Sequence, residues 1–235
     1  MPYSEFDGYY KIPKKNLLIW RYLESYKFDY LIENKAIYFT RVDKFHEELK
    51  EGLLTSYDLD GIRRQLYNPN NINPTKDFDD FCERRSQKEK MVFISCWMAA
   101  DMEYDYMWEK FVQSSNGVVI KSSVKRLQNC FNNSKTDLDI FISETHYFHY
   151  KELLGPLNTI RQYSRKPNGF ENEKEIRAIL IDTPPSGDKP DHHDIVIKLE
   201  DLIDEIRISP KADYKYKLKV EEICLNNGLN FIIAS

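Results

Sequence analysis

The chain has 235 residues, of which 41% are hydrophobic and 14% aromatic, and its formal net charge is -4. This length suits one large domain or two small ones, and the apolar content excludes general disorder. A net negative charge argues against a protein that coats nucleic acid, because such binding depends on Lys and Arg side chains that neutralise phosphates. Basic residues do cluster at 161–166 and 211–219, which leaves room for one anionic ligand.

Two further absences narrow the class of protein. No apolar run is long enough to cross a bilayer, and the N-terminal residues lack the basic and apolar blocks of a secretory signal. The cysteines at 82, 96, 130 and 224 are widely spaced and form no zinc motif. We therefore expect a cytoplasmic protein with reduced thiols, no metal site and no membrane partner.

The apolar pattern predicts an irregular succession of strands and helices. The first half reads as strand 17–22, helix 25–34, strand 36–40, a polar excursion over 58–90 with a helix at 77–87, strand 91–97 and helix 104–111. The second half reads as strand 117–122, helix 124–131, strands 139–142 and 145–150, helix 153–163, strand 170–181, strand 195–197, helix 199–203, strand 206–209, helix 213–227 and strand 231–234. This order favours one α+β domain over 1–235 with peripheral helices, in which 58–90 is a helical or loop insertion.

Three charges stand at the start of an otherwise apolar strand. Period-two alternation would put Glu173, Glu175 and Arg177 on one face of that strand, about 7 Å between successive members. Charges at the mouth of a buried strand are typical of a catalytic or binding cleft, because a packed core would have to pair or neutralise them. An edge strand with a solvated charged face is the alternative.

The order of motifs along the chain resembles a bacterial family known as domain of unknown function 2971. The pieces that carry the resemblance are residues 37–45 with Glu51-Gly52, 94–97 with Glu103, Met107-Trp108, 117–122, Arg165-Lys166, Phe170, Glu173, Glu175, Arg177 and 206–210. They cover nearly the whole chain. At 46–50 the chain departs from the Asp-Pro that the family usually carries before the Glu-Gly, so a ligand role of that loop is not implied here.

The layout is also similar to an ADP-ribosyltransferase core, with Arg21-Tyr22 on a first strand, Ser95 on a later strand and Glu173-x-Glu175 near the end. That resemblance implies a mixed central sheet split around a cleft and NAD as substrate. It implies the following roles: Glu175 stabilises the positive charge that develops on the ribose, Glu173 receives the proton of the acceptor, Arg21 holds the pyrophosphate, Ser95 orients Glu175, and Tyr22 or Trp97 stacks on a ring of NAD.

The function that follows is an NAD-dependent mono-ADP-ribosyltransferase that modifies a protein or nucleic acid, as an intracellular toxin or antiviral defence effector with an inhibitory partner protein. Two other classes stay open. Asp43, His46, Glu47 and Glu51 could gather a divalent metal for a nuclease or nucleotide hydrolase. Alternatively, aromatic side chains near Tyr104, Tyr106 and Trp108 could form the binding surface of a non-enzymatic sensor.

Each candidate side chain also has a structural interpretation. Arg21 could be an ion-pair partner of Glu173 or Glu175, and Arg177 could pair with Glu175 itself. Ser95 lies within a buried apolar run, where most serines are structural.

Overall fold

The computed structural model describes residues 3–5, 10–45, 56–67, 70–149, 158–183 and 189–233. These residues form an α+β fold with a mostly antiparallel central sheet. The strands are β1 (Leu18–Glu24), β2 (Ala36–Arg41), β3 (Val92–Ala99), β4 (Gly117–Ser123), β5 (Asp139–Glu144), β6 (His146–Phe148), β7 (Arg165–Pro167), β8 (Glu175–Ile181), β9 (His192–Val196), β10 (Glu205–Ile208) and β11 (Phe231–Ile233). The helices are α1 (Ser25–Asn34), α2 (Ser56–Leu66), α3 (Pro74–Glu89), α4 (Asp105–Phe111), α5 (Val124–Asn133), α6 (Thr159–Tyr163), α7 (Leu199–Leu202) and α8 (Tyr214–Asn227).

Over the described residues the central sheet has nine strands, and β3 is the strand at which it branches. Along one edge, β3 pairs with β8 over its length, and β8 pairs in turn with β5. Along the other edge it pairs with β2 at Phe93 and Ile94 and with β1 at Met98 and Ala99. Beyond β1 the order continues through β4, β10 and β11, and beyond β2 it ends at β9. The strands β6 and β7 form a separate parallel pair.

The sheet is therefore split between β1 and β2. Both strands pair with the same edge of β3, one near each end, and the register leaves Ser95, Cys96 and Trp97 without a strand partner on that edge. In the described pairings β1 and β2 do not pair with each other, so the sheet has a gap between them opposite these three residues.

The two faces of the sheet are covered differently. One face carries the main apolar core, to which α1, α5, α7 and α8 contribute buried side chains. The other face carries two smaller clusters, one around Trp20, Met98 and Trp108 and one around Ile94 and Ile179. The buried charged side chains of Glu175 and Arg177 on β8 lie on this face, between the two clusters.

Local sequence explains the main helix boundaries. Ser123 and Asp213 cap the starts of α5 and α8, where their side chains accept hydrogen bonds from backbone N–H groups. Gly228 ends α8 in the left-handed conformation at φ 63°. These caps agree with the helices predicted at 124–131 and 213–227.

Most predicted elements are present, with shifted ends. The excursion after β2 contains two helices, α2 and α3, where one was predicted at 77–87. Strand β9 begins at His192, earlier than the predicted 195, because it pairs with β2 from Ala36 to Thr40. The predicted helix 153–163 is described only from residue 158 onward and contains α6. Among the helices that the structure describes, none has the length and apolar character that a membrane crossing needs.

Candidate functional site

A cavity of about 290 Å³ lies at the gap in the sheet. Five of the six predicted site residues line it, namely Arg21, Tyr22, Trp97, Glu173 and Glu175. Cys96 and Lys166, which were not predicted as site residues, line it as well. Binding cavities for small molecules begin at about 300 Å³, so this space has the size of a pocket for part of a ligand.

Glu175 is the first residue of β8 and is held by two cations. Its side chain is 5% exposed, and both of its oxygens accept hydrogen bonds from Arg177, each at 3.1 Å. Lys166 donates to the same carboxylate at 3.3 Å. Burial alone would raise the pKa of Glu175, but the charges of Arg177 and Lys166 and a hydrogen bond from the Cys96 thiol lower it to about 2. Glu175 is therefore ionised at neutral pH and fixed in position.

Arg177 has a structural role behind that carboxylate. It is fully buried, and besides its bonds to Glu175 it donates to the backbone oxygens of Tyr163 at 2.7 Å and Arg165 at 3.3 Å. The alternative of an edge strand with a solvated charged face is wrong, because β8 lies between β3 and β5 and these charges are buried.

Glu173 is held beside Glu175 by a shared lysine. Its side chain accepts a hydrogen bond from Lys166 at 2.7 Å and from Lys110 at 2.5 Å. Lys166 is 2% exposed and contacts both carboxylates, so it neutralises the repulsion between them. Lys166 belongs to the basic cluster at 161–166 that was expected to leave room for an anionic ligand. In the structure it pairs with two carboxylates of the protein itself.

The local backbone differs from the predicted one at this point. Glu173 does not belong to the strand, as the alternation predicted, but to a short 3-10 turn over Glu171–Glu173. Lys174 follows in the left-handed conformation with φ 41° and turns the chain into β8. Glu173 therefore lies in the turn before the strand and Glu175 at the start of the strand. Both carboxylates nevertheless contact Lys166. Positive φ at a lysine is uncommon and is often found where a functional site fixes the backbone.

Arg21 projects from β1 at the gap and bridges it. Its guanidinium donates a hydrogen bond to the backbone oxygen of Tyr38 on β2 at 3.4 Å and lies 5.5 Å from the centre of the Trp97 ring. Within the described part of the chain, no carboxylate forms an ion pair with it, so the alternative of an ion pair with Glu173 or Glu175 is not found. Burial lowers the pKa of Arg21 to about 10, which still leaves it charged at neutral pH. A half-buried cation without an acidic partner is suited to bind an anion.

Tyr22 and Trp97 line the cavity in different ways. The Tyr22 hydroxyl accepts a hydrogen bond from the Tyr104 backbone N–H at 2.9 Å, and its ring packs edge-on against Trp108 at 5.1 Å. Tyr22 is thus fixed in the apolar cluster. Trp97 is 3% exposed, and its indole N–H has no hydrogen-bond partner among the described residues. Of the two, Trp97 retains an unused polar group.

Ser95 does not reach Glu175. The register pairs Ser95 with Ala178 and Glu175 with Met98, so Ser95 and Glu175 point to opposite faces of the sheet. The Ser95 hydroxyl is buried in the main core without a hydrogen-bond partner in the described structure. The β3 side chain that hydrogen-bonds to Glu175 is that of Cys96, the residue after Ser95.

A second cavity of about 380 Å³ continues from the first towards α1. The two cavities share four lining residues, which are Arg21, Leu23, Lys27 and Thr40. The second cavity also has aromatic walls, formed by Tyr26, Tyr30 and Tyr38. Together the two spaces form a groove across the gap, with Arg21 in the middle. The charged residues that line the first cavity are three cations, Arg21, Lys27 and Lys166, and two carboxylates, Glu173 and Glu175, which favours an anionic ligand.

The residues of the two alternative functions are less well placed. Asp43 pairs with Arg41 at 2.6 Å, while His46, Glu47 and Glu51 lie outside the described residues. Across the described ranges, no group of three or more His, Cys, Asp or Glu side chains could hold a metal ion. Of the aromatic residues near α4, Trp108 is buried in the core and Tyr106 is 42% exposed.

Comparisons with known proteins identified no relative of this chain. The chain matches no protein-family model, no curated protein and no solved structure. The resemblance to the domain of unknown function 2971 family, like that to ADP-ribosyltransferases, therefore stays a prediction from the motifs.

Proposed function

We propose that this protein is an NAD-dependent mono-ADP-ribosyltransferase that binds NAD in the groove across the split sheet. The observation that supports this most is the presence of Arg21 and Glu175 in the lining of one cavity, with the first unpaired by any described carboxylate and the second fixed and ionised. A dinucleotide needs a cation for its pyrophosphate and, for transfer of its ADP-ribose, a carboxylate near the bond that breaks.

Glu175 would act electrostatically. Cleavage of the bond between nicotinamide and ribose builds positive charge on the ribose ring, as glycoside hydrolysis does. A carboxylate that is already ionised and held by Arg177 needs no rearrangement to stabilise that charge. Lys166 weakens this effect, but it lies closer to Glu173, at 2.7 Å, than to Glu175, at 3.3 Å.

Glu173 would serve the acceptor. It lies beside Glu175 and is linked to it through Lys166, so a nucleophile that approaches the ribose from the turn would meet its carboxylate. A carboxylate in this position can take the proton that the nucleophile loses. The acceptor class, protein or nucleic acid, is part of the proposal, as is a role as a toxin or defence effector.

The groove offers room for both halves of the dinucleotide. The first cavity holds the carboxylates, and the second, which is larger, has tyrosine walls on which a base could stack. Arg21 lies between them, where the pyrophosphate that joins the two nucleosides would bind.

The direct test is nicotinamide release from NAD by the purified protein, with and without a cell lysate as a source of acceptors. We expect release by the wild type and a loss of about 100-fold or more in Glu175→Gln, the size typical for removal of one fixed electrostatic group. Glu171→Gln is the matched control, because Glu171 is an exposed carboxylate in the same turn and does not line the cavity. Intact NAD and no labelled macromolecule in the lysate, with wild-type protein that is folded, would contradict the proposal.

A further inference from the structure

The start of β8, where Glu175 lies, is held by the corner between β5 and β6. In the described part of the chain, the ladder between β5 and β8 ends at the pair of Glu144 and Ile176. Beyond it, the backbone N–H of Thr145 donates to the Glu175 backbone oxygen at 2.9 Å. The Glu175 backbone N–H donates in turn to the side-chain hydroxyl of Tyr147, also at 2.9 Å. A tyrosine side chain therefore supplies the acceptor that a further strand residue would otherwise supply.

Tyr147 is connected to the two carboxylates from a second direction. It belongs to β6, where it pairs with Lys166 of β7. Lys166 contacts the side chains of both Glu173 and Glu175. The small sheet of β6 and β7 therefore holds the backbone of Glu175 through one residue and its carboxylate through the paired residue.

The hydrogen bond to Tyr147 stabilises an unusual turn. Lys174 has the left-handed conformation, and on the side of β3 its backbone oxygen accepts a hydrogen bond from the Ala99 N–H at 2.9 Å. A non-glycine residue keeps this conformation only where its surroundings hold it. Without the Tyr147 hydroxyl, the buried N–H of Glu175 would lose its acceptor, and the first residue of β8 could shift.

Tyr147 can affect the candidate site only through its neighbours. It is half-buried and lines neither of the two cavities. Burial raises the pKa of its hydroxyl, so the group stays neutral at neutral pH and remains a hydrogen-bond partner of the backbone. A group that does not touch the ligand but fixes one that does has a positioning role.

We propose that Tyr147 is a positioning residue for Glu175, whose hydroxyl fixes the start of β8 so that the carboxylate keeps its place in the cavity. The expected effect on turnover rests on the proposed function, while the hold on the backbone does not. Small displacements of a reacting group lower the rate strongly. Loss of the hydroxyl should therefore slow the reaction and leave NAD binding unchanged, because Arg21 lies on another strand.

The test is a double-mutant cycle of nicotinamide release with the full-length protein, in which Tyr147→Phe and Glu175→Gln are combined. We expect Tyr147→Phe alone to lower kcat about tenfold and to change the KM for NAD by less than about twofold. In the Glu175→Gln background it should change kcat by less than about twofold, because the carboxylate that it positions is gone. A loss of equal size in both backgrounds would overturn the positioning role.

Tyr216→Phe is the matched control for the loss of a tyrosine hydroxyl. Tyr216 belongs to the main core, and its hydroxyl is buried with no hydrogen-bond partner among the described residues. We expect this variant to keep the wild-type kcat. Each variant should bind one NAD per chain, which ensures that a lower kcat does not come from an unfolded fraction.

Hydrogen exchange distinguishes a failure of this proposal from a failure of the proposed function. In Tyr147→Phe the amide of Glu175, followed by mass spectrometry in overlapping peptides, should exchange at least about tenfold faster than in the wild type, and in Tyr216→Phe it should not change. If the wild type releases nicotinamide and the cycle is additive, the positioning role fails and the proposed function stands. If the wild type does not cleave NAD, the proposed function fails. Faster exchange would then still support the hold on Glu175, and unchanged exchange would overturn it.

Discussion

The two arginines of the site should differ in what they contribute, and this can be measured by substitution with methionine. Arg177→Met removes the buried partner of Glu175 and the donor to two backbone oxygens. Loss of one partner from a buried ion pair costs about 3–5 kcal/mol, because the other charge stays buried. Arg21→Met removes a guanidinium that has no described acidic partner, one long hydrogen bond at 3.4 Å and a contact with Trp97, which we expect to cost about 1 kcal/mol or less.

Urea unfolding followed by circular dichroism distinguishes the two variants. With an urea dependence of about 2–3 kcal/mol per molar, Arg177→Met should lower the midpoint by about 1–2 M, and Arg21→Met by less than about 0.5 M. The activity should show a different order, since Arg21→Met should remain folded and lose NAD binding. Equal destabilisation by the two substitutions would refute the assignment of a structural role to Arg177 and a binding role to Arg21.

The remaining predictions concern Glu175, Ser95 and Lys166. The folded-state pKa of Glu175 is lowered from 4.5 to about 2, so its ionised form contributes about 3 kcal/mol to the free energy of unfolding above pH 4.5. This contribution is lost as the pH falls towards 2. Acid unfolding should show the loss in the wild type and not in a Glu175→Gln, Arg177→Met double variant. Ser95→Ala should change the free energy of unfolding by less than about 1 kcal/mol and leave nicotinamide release unchanged, because the hydroxyl has no described partner; a tenfold loss of release would restore its predicted role. Lys166→Met should raise the pKa of Glu175, because it removes one of the two cations that contact this carboxylate. The acid limb of the pH profile of nicotinamide release should then move to higher pH. An unmoved limb would argue that Lys166 does not influence the titration of Glu175.

The sequence was sufficient for the order of elements and for the charged start of β8. Apolar runs and periodicity located most strands and helices because a buried strand or an amphipathic helix is recorded locally in the sequence. The 3-10 turn over Glu171–Glu173 was not predicted, because it depends on the left-handed conformation of Lys174. Glycine or asparagine usually marks such a position in a sequence, and here the residue is a lysine.

The relative placement of side chains could not be obtained from the sequence, because it depends on register. Shifting the pairing of β3 and β8 by one residue would bring Ser95 to the face of Glu175 and send Cys96 to the other face. Nothing in either strand alone specifies which of these two registers forms. Ser95 was predicted at the site from the resemblance to an ADP-ribosyltransferase core, and Cys96 was not.

Long-range pairing explains the other omission. Lys166 contacts Glu173 and Glu175 from β7, a strand of three residues whose partner is β6. The sequence showed only a basic cluster followed by an acidic one. The cavity at the gap could likewise be anticipated only through the resemblance to a split sheet, because the gap results from two strands that pair with one edge of β3.

The measurement that tests the proposed function most directly is a binding and cleavage assay with NAD on three folded proteins: wild type, Arg21→Gln and Glu175→Gln. We expect the wild type to bind NAD and release nicotinamide, Arg21→Gln to bind NAD at least about tenfold more weakly, and Glu175→Gln to bind NAD but lose release by about 100-fold. Wild-type protein that neither binds nor cleaves NAD, or variants that act like the wild type, would contradict a reaction carried by these two residues.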